Sequence, residues 1–457
     1  MSILNTSENA PNIPKVDKAT RRNRWAWYLY DFGNSAYAAV VLLAVYSAYF
    51  KGQVVGGAEG SRLWGRSVGI AMLVVAVISP ILGTIADFSG AKKRFLFAFT
   101  VLACLATGLL FFVQEGDIFI GMLFFILAEI GYRGAQVFYN ALLPDIAGPD
   151  EIGRVSGTGW ALGSAGGVLC LLIILPLIMI FEGALMVRIA FLITAGYFAC
   201  ATMPLFFLLE ERSEPRALPP GENYLTIGFQ RLLSTIGAAH NFRESVKFVF
   251  SFLIYNNGVI MALNFASIIG AVLFGMDQQA LILFVILVQV TNVAGAYIFG
   301  LLADRFGSKQ ALTLSIMSMV VAIIMMFFAQ TQGFFFFIGA VAGFAMAGMQ
   351  SVSRTMVGML SPDGQSAEFY GFFSVAERMS SFIGPAAYGW VAAEVALMYE
   401  AQGITTIVAE QFGQRAAILT IGFFLVVGLG LLLAVNEQAA RRAHEVPAEG
   451  ELLQAGS

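Results

Sequence analysis

The sequence predicts an all-α membrane protein with about twelve transmembrane helices in two pseudo-symmetric six-helix bundles. Composition is the first observation: of the 457 residues, 58% are hydrophobic and 12% are charged, and the mean hydropathy is +0.78. A soluble domain carries about 25% charged residues, so a water-soluble enzyme is excluded. The second observation is a series of long apolar runs, and the third is a pair of polar loops that recur at a constant offset along the chain.

Each predicted helix is an apolar run long enough to cross a bilayer. This takes about 20 residues, because the hydrocarbon layer is about 30 Å thick and each helical residue rises about 1.5 Å. Six runs lie at about 27–50, 64–86, 95–113, 119–143, 157–181 and 187–209. Six more lie at about 246–274, 280–303, 310–330, 333–360, 370–398 and 415–435. The predicted division is a tail (1–24), a bundle (25–209), a linker (210–245), a second bundle (246–436) and a tail (437–457).

Basic residues are distributed unevenly about the predicted membrane. With both termini on one side, the segments on that side carry 18 lysines and arginines, whereas the opposite segments carry 5. Cytoplasmic segments are the ones enriched in basic residues, so both termini are predicted to be cytoplasmic. The first apolar run is too long for a signal-peptide core and is predicted to remain as the first helix.

The linker contains one stripe of apolar residues at helical spacing. The pattern is typical of a helix that lies on the membrane surface, and a loop with chance periodicity is the open alternative. The residues of the stripe are Leu225, Phe229, Leu232, Leu233 and Ile236.

Two polar loops repeat at corresponding places in the two sets of helices. The loop after helix 2 carries Gly83, Asp87, Gly90 and Lys92, and the loop after helix 8 carries Gly300, Asp304, Gly307 and Lys309. Each residue of the second loop lies 217 positions after its counterpart. Pro144–Asp145 with Glu151, and Pro362–Asp363 with Glu368, repeat at nearly the same offset. This register indicates a duplicated six-helix unit, as in many transporters.

The second of these loops, with Arg305 after Asp304, resembles the signature loop of the major facilitator superfamily. The first copy has Phe88 where that family usually has a basic residue. The glycines would allow close helix approach, and the aspartates would cap a helix or pair with an arginine as the protein changes state. The three basic residues from Lys92 to Arg94 are interpreted instead as side chains held at lipid head groups.

Longer segments resemble one branch of that superfamily. They begin at Tyr28 (YLYDFGNSAY), Phe138 (FYNALLPDI) and Glu151 (EIGRVSG), and they are similar to the branch containing the fungal vacuolar amino-acid effluxer of autophagy and its bacterial relatives. The resemblance implies a central cavity lined by helices 1, 4, 7 and 10, amino-acid efflux, and function as a single chain. It also implies a bacterial inner-membrane location.

Helix 4 carries the most informative polar pattern. Glu129, Arg133, Gln136 and Asn140 are spaced by four, three and four residues, so they share one face that cannot contact lipid. In the functional interpretation, Arg133 presents a planar fork to a carboxylate, and Glu129 accepts a proton or an ammonium group. In the structural interpretation, the two charges neutralise each other. The sequence leaves both open.

Other polar residues within the runs complete the candidate site. Helix 1 contributes Asp31 and Asn34, although Asp31 could instead pair with Arg24, two turns away. Amides in a membrane helix either bind a solute or join helices, and Asn257 stands where the family resemblance leads us to expect an acidic residue. The candidates from helices 7 and 10 are Asn256, Asn257, Gln350 and Arg354.

Glu377 and Arg378 in helix 11 are adjacent, so their side chains point about 100° apart. One of them would face the cavity and the other a neighbouring helix. A structural role is predicted for this pair.

The remaining chemistry is sparse. Cys104, Cys170 and Cys200 lie in apolar runs without metal-ligand spacing, and His240 and His444 lie in polar segments. No metal, cofactor, enzymatic activity or nucleic-acid partner is therefore expected, the last because the net charge is only −3.

The leading prediction is a secondary transporter that moves a small polar solute by alternating access. It would be driven by an ion gradient, with Asp31 or Glu129 as the carrier of a coupling proton, since the sequence has no ATP-binding loop. The solute, the coupling ion and membrane lipid are the expected partners. An exporter of drugs or metabolites is the alternative in the same class, and a non-transporting membrane sensor is the alternative from another class.

Overall fold

The computed structural model describes residues 18–147, 151–181, 183–211, 243–360 and 366–436, together with residues 223–224, 226–227 and 230. Within these residues the secondary structure is helical. Both tails beyond these limits and the apolar stripe of the linker lie outside the described residues.

Six long helices form the first half of the chain. The first continues beyond Tyr37 as two stretches of π-helix, whose turns are wider than those of an α-helix: Ala38–Ala44 and Phe50–Val55. The short helix Tyr46–Tyr49 separates them. A backbone bond from Val45 N to Val40 O, five residues back, marks the wider turn. The six are α1 (Lys18–Tyr37), α2 (Gly57–Phe88), α3 (Lys92–Leu109), α4 (Ile118–Ala141), α5 (Ile152–Ile180) and α6 (Ala184–Leu208).

The second half contains six more. They are α7 (Arg243–Phe274), α8 (Gln278–Phe306), α9 (Ser308–Phe328), α10 (Gln332–Leu360), α11 (Ser366–Glu400) and α12 (Thr406–Leu433). Among the described residues, eleven helical segments are long and apolar enough to cross a membrane. The remaining long helix, α11, carries Glu377, Arg378 and Glu394.

The two halves repeat one packing pattern. In the first half α1 packs on α5 and α6, α4 packs on α2 and α3, and α3 packs on α6. Adding six to each number gives the pairs of the second half: α7 on α11 and α12, α10 on α8 and α9, and α9 on α12. The contacts between halves, α2 with α11 and α5 with α8, are also exchanged by this rule. The duplicated architecture predicted from the two loops is confirmed.

Polar contacts join the halves at one end of the molecule, where α1 finishes and α2 begins. We call it the distal end, since α1 starts and α12 finishes at the opposite end. Lys51 is paired with Glu410, Arg62 contacts Glu394 at 2.8 Å, and the Trp64 indole donates to Asn264 O at 2.9 Å.

Main-chain groups extend this contact. Gly65 and Gly389 lie where the backbones of α2 and α11 meet: a Cβ on Gly65 would stand 2.3 Å from Pro385 O. Gln278 donates to Ala44 O at 2.7 Å, and Ser267 donates to Leu43 O, both in the wide stretch after α1. The distal end is therefore closed by side chains and by backbone.

The observed bounds extend several predicted runs. The twelfth helix begins at Thr406 rather than near 415, and the first begins at Lys18 rather than near 27. In both places the added residues include polar ones, which interrupt the apolar pattern: Lys18, Arg21, Arg22 and Arg24 in the first helix, and Glu410, Gln411 and Gln414 in the twelfth.

Candidate functional site

The centre of the candidate site is an ion pair on α4. Glu129 falls at the middle of this helix and is completely buried, and its Oε1 accepts a hydrogen bond from Arg133 Nε at 2.8 Å. The pair forms because residues four apart lie one above the other on a helix. The Arg133 side chain is 35% exposed. The guanidinium therefore has donors directed away from Glu129.

Two tyrosines enclose the carboxylate. The ring of Tyr37 lies 4.8 Å from the ring of Tyr132, and the Arg133 guanidinium lies 5.2 Å above the Tyr132 ring. The Tyr37 hydroxyl and Glu129 Oε2 lie within electrostatic reach of each other, and both are buried without a hydrogen-bond partner among the described residues. Unpaired buried polar atoms are costly, so these two neighbouring groups are suited to share a proton.

Helix α11 brings charge to this place from the second half. Glu377 lies within electrostatic reach of Arg133, and Arg378 lies within reach of both. Arg378 Nη1 also contacts Ser79 Oγ of α2. One side chain thus faces the site and the other a neighbouring helix, as the 100° offset predicts. We call Tyr37, Glu129, Tyr132, Arg133 and Glu377 the central cluster.

Asp31 occupies a separate position on α1. Its Oδ2 lies 2.6 Å, and Ser35 Oγ 2.9 Å, from the point where a Cβ on Gly163 of α5 would stand. Within the described part of the chain, neither Asp31 oxygen has a hydrogen-bond or ion-pair partner. Arg24 does not reach it, because that guanidinium binds Glu151 at 2.5 Å and Ile146 O at 3.0 Å. Asn34, three residues after Asp31, is buried.

The amides of α7 and α10 join helices. Asn256 donates to Ser380 Oγ at 2.6 Å and accepts from Gln350 at 3.1 Å, which connects α7, α11 and α10. Asn257 donates to Leu253 O at 2.6 Å, while its Oδ1 is buried, lacks a partner among the described residues and lies against Gly384.

The other candidates differ in their surroundings. Gln136 lies beside Tyr132, whereas Asn140 at the end of α4 and Arg354 in α10 are exposed. The structure therefore brings Glu129, Arg133 and Gln136 together on α4, while Asp31 lies against Gly163 of α5.

The two repeated loops adopt matching backbones. Gly90 and Gly307 both have positive φ, +58° and +96°, a conformation that glycine adopts without a steric penalty. Nothing lies within 4 Å of the Cβ positions of Gly83 and Gly300, so the close approach expected of these glycines is not made in this conformation.

Their charged residues differ. Asp304 and Arg305 are exposed, and the side chain of Asp87 lies outside the described residues. The expectation that Lys92 is held at lipid head groups is wrong. Its side chain is 10% exposed, and its ammonium contacts Asp145 at 3.2 Å and Ala141 O at 2.9 Å. A buried ammonium is stable only with such partners.

The described residues hold no group of three or more histidine, cysteine, aspartate or glutamate side chains close enough to bind a metal ion. The chemistry available at the site is that of one guanidinium, three carboxylates and several tyrosine hydroxyls. Groups of these types can bind charged organic solutes and protons.

A family model described as "Vacuole effluxer Atg22 like" matches residues 66–153 and 149–445. The chain belongs to this family. Two similar sequences support this assignment. An uncharacterised MFS-type transporter, YxiO of Bacillus subtilis, is 26% identical over 91% of this chain and 95% of its own. Autophagy-related protein 22 of Yarrowia lipolytica is 22% identical over 84% of this chain and 76% of its own.

Solved structures show the same fold. A bacterial homologue of the human lysosomal transporter Spinster, in an inward-facing and unoccupied conformation, superimposes with a TM-score of 0.71. It covers 95% of this chain and 100% of its own at 14% identity. A point mutant of the nucleoside transporter NupG gives a TM-score of 0.69 at 13% identity, covering 92% and 100%.

These likenesses confirm the predicted major facilitator fold and the Atg22 branch. The Atg22-like chain is a multi-pass integral membrane protein and a transporter of the major facilitator type. Sequence reasoning missed the tyrosines around the charges, since an aromatic residue in an apolar run looks the same whether it faces lipid or a site. The available signal was spacing: Tyr132 lies three residues after Glu129 on α4 and therefore on the same face.

Proposed function

We propose that this transporter is a secondary active exporter of amino acids, in which Arg133 binds the carboxylate of the solute. The main supporting observation is that a guanidinium at the middle of a membrane-spanning helix has only part of its hydrogen-bond donors occupied. Its Nε bonds to Glu129, while the side chain is 35% exposed and the two terminal nitrogens have no partner among the described residues. Such a fork matches a carboxylate with two parallel bonds.

Glu129 supplies the coupling in this proposal. Its carboxylate and the carboxylate of the solute compete for one guanidinium. Because Glu129 is completely buried, it cannot stay charged once the solute has taken its partner, and it then holds a proton that its free Oε2 directs towards Tyr37. Protonation of Glu129 and solute binding at Arg133 are therefore linked, so a proton and the solute cross the membrane together. Efflux is then fastest when the proton concentration is higher on the side that the solute leaves.

Closure of the distal end supports alternating access. Polar contacts between the halves are concentrated there, with Lys51–Glu410 and Arg62–Glu394 as ion pairs. We assign this structure to a state closed at the distal end, with both termini cytoplasmic, and with the bundles 25–209 and 246–436 rocking about the central cluster. The family description as an effluxer and the Bacillus subtilis relative support export across a bacterial cell membrane.

Flux in proteoliposomes tests the proposal. Purified protein is reconstituted, the vesicles are loaded with a mixture of labelled amino acids, and efflux is followed with and without a pH gradient. Arg133→Ala removes the fork and is expected to lower flux tenfold or more, since a hydrogen bond to a charged group contributes about 1.5–3 kcal/mol. Arg133→Lys keeps the charge but loses bidentate geometry, so its flux should be intermediate.

The matched control is Arg66→Ala, the same change at an exposed arginine of α2. Flux in this variant should equal that of the wild type. If Arg133→Ala transports amino acids as fast as the wild type, the carboxylate site is wrong. Binding without flux under any gradient would instead indicate a sensor.

Export of an apolar solute is a second candidate, favoured by one observation. The second bundle contains an apolar pocket whose lining includes Phe284, Met326, Phe335, Ile338 and Met346. Apart from Leu43 of the first half, its lining comes from the second bundle, whereas the central cluster combines residues of both halves. Flux of cationic drugs that is insensitive to Arg133→Ala would favour this candidate.

A further inference from the structure

We infer that Asp31 forms a cation subsite separate from the central cluster, so that the solute is a basic amino acid bound at both ends. The inference rests on the proposed carboxylate site at Arg133. The subsite consists of Asp31 and Ser35 on α1, Tyr139 on α4 and Gly163 on α5. Two observations carry it: unpaired polar atoms at Asp31 and Tyr139, and the register of α1 against α4.

The subsite holds two polar groups that lack partners. The Asp31 carboxylate has no hydrogen bond or ion pair among the described residues, and the buried Tyr139 hydroxyl also has none. Asp31 lies within electrostatic reach of Tyr139. Asp31 is only partly exposed, and a carboxylate with reduced access to water is stabilised by a cation beside it. Asp31 and Tyr139 therefore offer acceptors to a cationic group.

The geometry suits an ammonium group. Tyr139 is fixed between the rings of Trp27 and Tyr30, at 4.3 and 5.1 Å, so its hydroxyl edge and not its ring face is available. Gly163 leaves space that a Cβ would fill, with Asp31 Oδ2 and Ser35 Oγ within 3 Å of that point. An ammonium has three donors, and the carboxylate, the serine and the tyrosine offer one acceptor each.

The register of α1 and α4 separates this subsite from Arg133. Tyr30 stacks on Tyr139 and Tyr37 on Tyr132, so the helices are antiparallel with residue 31 level with residue 138. Arg133 lies five residues from that level, which is about 7.5 Å along the axis at about 1.5 Å per residue. Tyr132 lies within electrostatic reach of both Asp31 and Arg133.

This separation selects the solute. In a neutral α-amino acid the ammonium nitrogen and the carboxylate carbon are bonded to the same carbon atom and are about 2.5 Å apart. That span is much shorter than the separation of about 7.5 Å between the levels of Asp31 and Arg133 along the helix axis. Lysine places a side-chain ammonium about 7 Å from its carboxylate, because a four-carbon stem intervenes. Lysine, arginine and ornithine therefore fit the two subsites, whereas alanine reaches only one.

Equilibrium binding of labelled lysine to the purified full chain tests the inference. Unlabelled lysine, alanine, Nε-acetyl-lysine and lysine amide serve as competitors. Nε-acetyl-lysine keeps the four-carbon stem of lysine but replaces the charged ammonium by a longer neutral amide, while lysine amide replaces the charged carboxylate by a neutral amide. We expect each analogue and alanine to compete at least tenfold more weakly than lysine.

Variants locate the effect. Asp31→Asn is expected to weaken lysine tenfold or more and to leave the weak affinity for alanine unchanged, whereas Arg133→Ala weakens both. Tyr139→Phe removes only a hydroxyl and keeps the ring stack, so it gives a readout even where Asp31→Asn does not fold, with a smaller loss of lysine affinity. Glu115→Gln, at an exposed carboxylate, is the matched control and should behave as the wild type.

The outcomes separate the two proposals. If alanine competes as well as lysine and Asp31→Asn changes neither, while Arg133→Ala abolishes both, then the carboxylate site stands and the cation subsite is wrong. If Asp31→Asn weakens lysine and lysine amide alike while Arg133→Ala changes nothing, then the two-ended solute is wrong. Sodium that displaces lysine in the wild type but not in Asp31→Asn would mean that the subsite takes a metal cation.

Discussion

The ion pair between Lys51 and Glu410 gives the sharpest prediction about conformational state. Its two side chains are 7% and 12% exposed, so it is a buried pair. Lys51→Ala leaves the Glu410 carboxylate buried without a partner, which costs about 3–5 kcal/mol. If Glu410 regains water when the distal end opens, this cost applies only to the closed state. The closed-to-open ratio should then fall by a factor of about 10² to 4 × 10³, at 1.4 kcal/mol for each tenfold change.

Two controls come from the same surface. Arg62→Ala breaks a pair whose side chains are 15% and 49% exposed, and an exposed pair contributes about 1 kcal/mol or less. The double change Lys51→Met with Glu410→Leu removes both charges and should return the protein to the closed state, because replacing a whole buried pair by apolar groups is close to neutral.

Distances between spin labels across the distal end would measure the effect. The three native cysteines are first replaced, and labels are then attached at Gln53 and Gln402. Both residues are exposed, and they belong to opposite halves. The wild type and Arg62→Ala should give one short-distance population, and Lys51→Ala a dominant longer one. A Lys51→Ala distribution identical to that of the wild type would refute the assignment of this pair as the lock of the distal end.

Three further outcomes are expected. Glu129→Gln should abolish flux driven by a pH gradient while solute exchange through Arg133 persists, and loss of both would contradict proton coupling at this residue. Lys92→Ala should lower the free energy of unfolding by about 3–5 kcal/mol, against about 1 kcal/mol or less for Arg22→Ala, whose pair is exposed. Equal losses in a detergent unfolding series would show that burial does not determine how much each ion pair stabilises the protein. Asn256→Ala should lower the free energy of unfolding by about 1–3 kcal/mol, because Ser380 and Gln350 lose their hydrogen bonds to Asn256. The solute affinity measured in the same binding assay should change less than twofold.

The architecture and the helix 4 pair were predictable because they depend on local periodicity. Apolar length predicts spanning helices, and a spacing of four residues places Glu129 beside Arg133 whatever the rest of the chain does. Arg24 shows the limit of such reasoning. It lies two turns from Asp31, yet it binds Glu151, 127 residues away. Contacts of that kind depend on how helices pack, which the spacing along one helix does not contain.

The environment of Asp31 was unpredictable for the same reason. Its tyrosine neighbours come from α1 and α4, and Gly163 comes from α5. Only the packing of α1 against α4 and α5 shows which groups surround the Asp31 carboxylate. The sequence could identify the charge as unusual, but not whether it was satisfied.

The wide stretch after α1 has a consequence for how this transporter can vary. Leu43 and Ala44 contribute main-chain carbonyls, and not their side chains, to the bonds that Ser267 and Gln278 make across the distal end. An acceptor of that type is present in every amino acid. Chains that diverge widely at these two positions can therefore keep the same latch, and a comparison of sequences alone would not reveal that they share it.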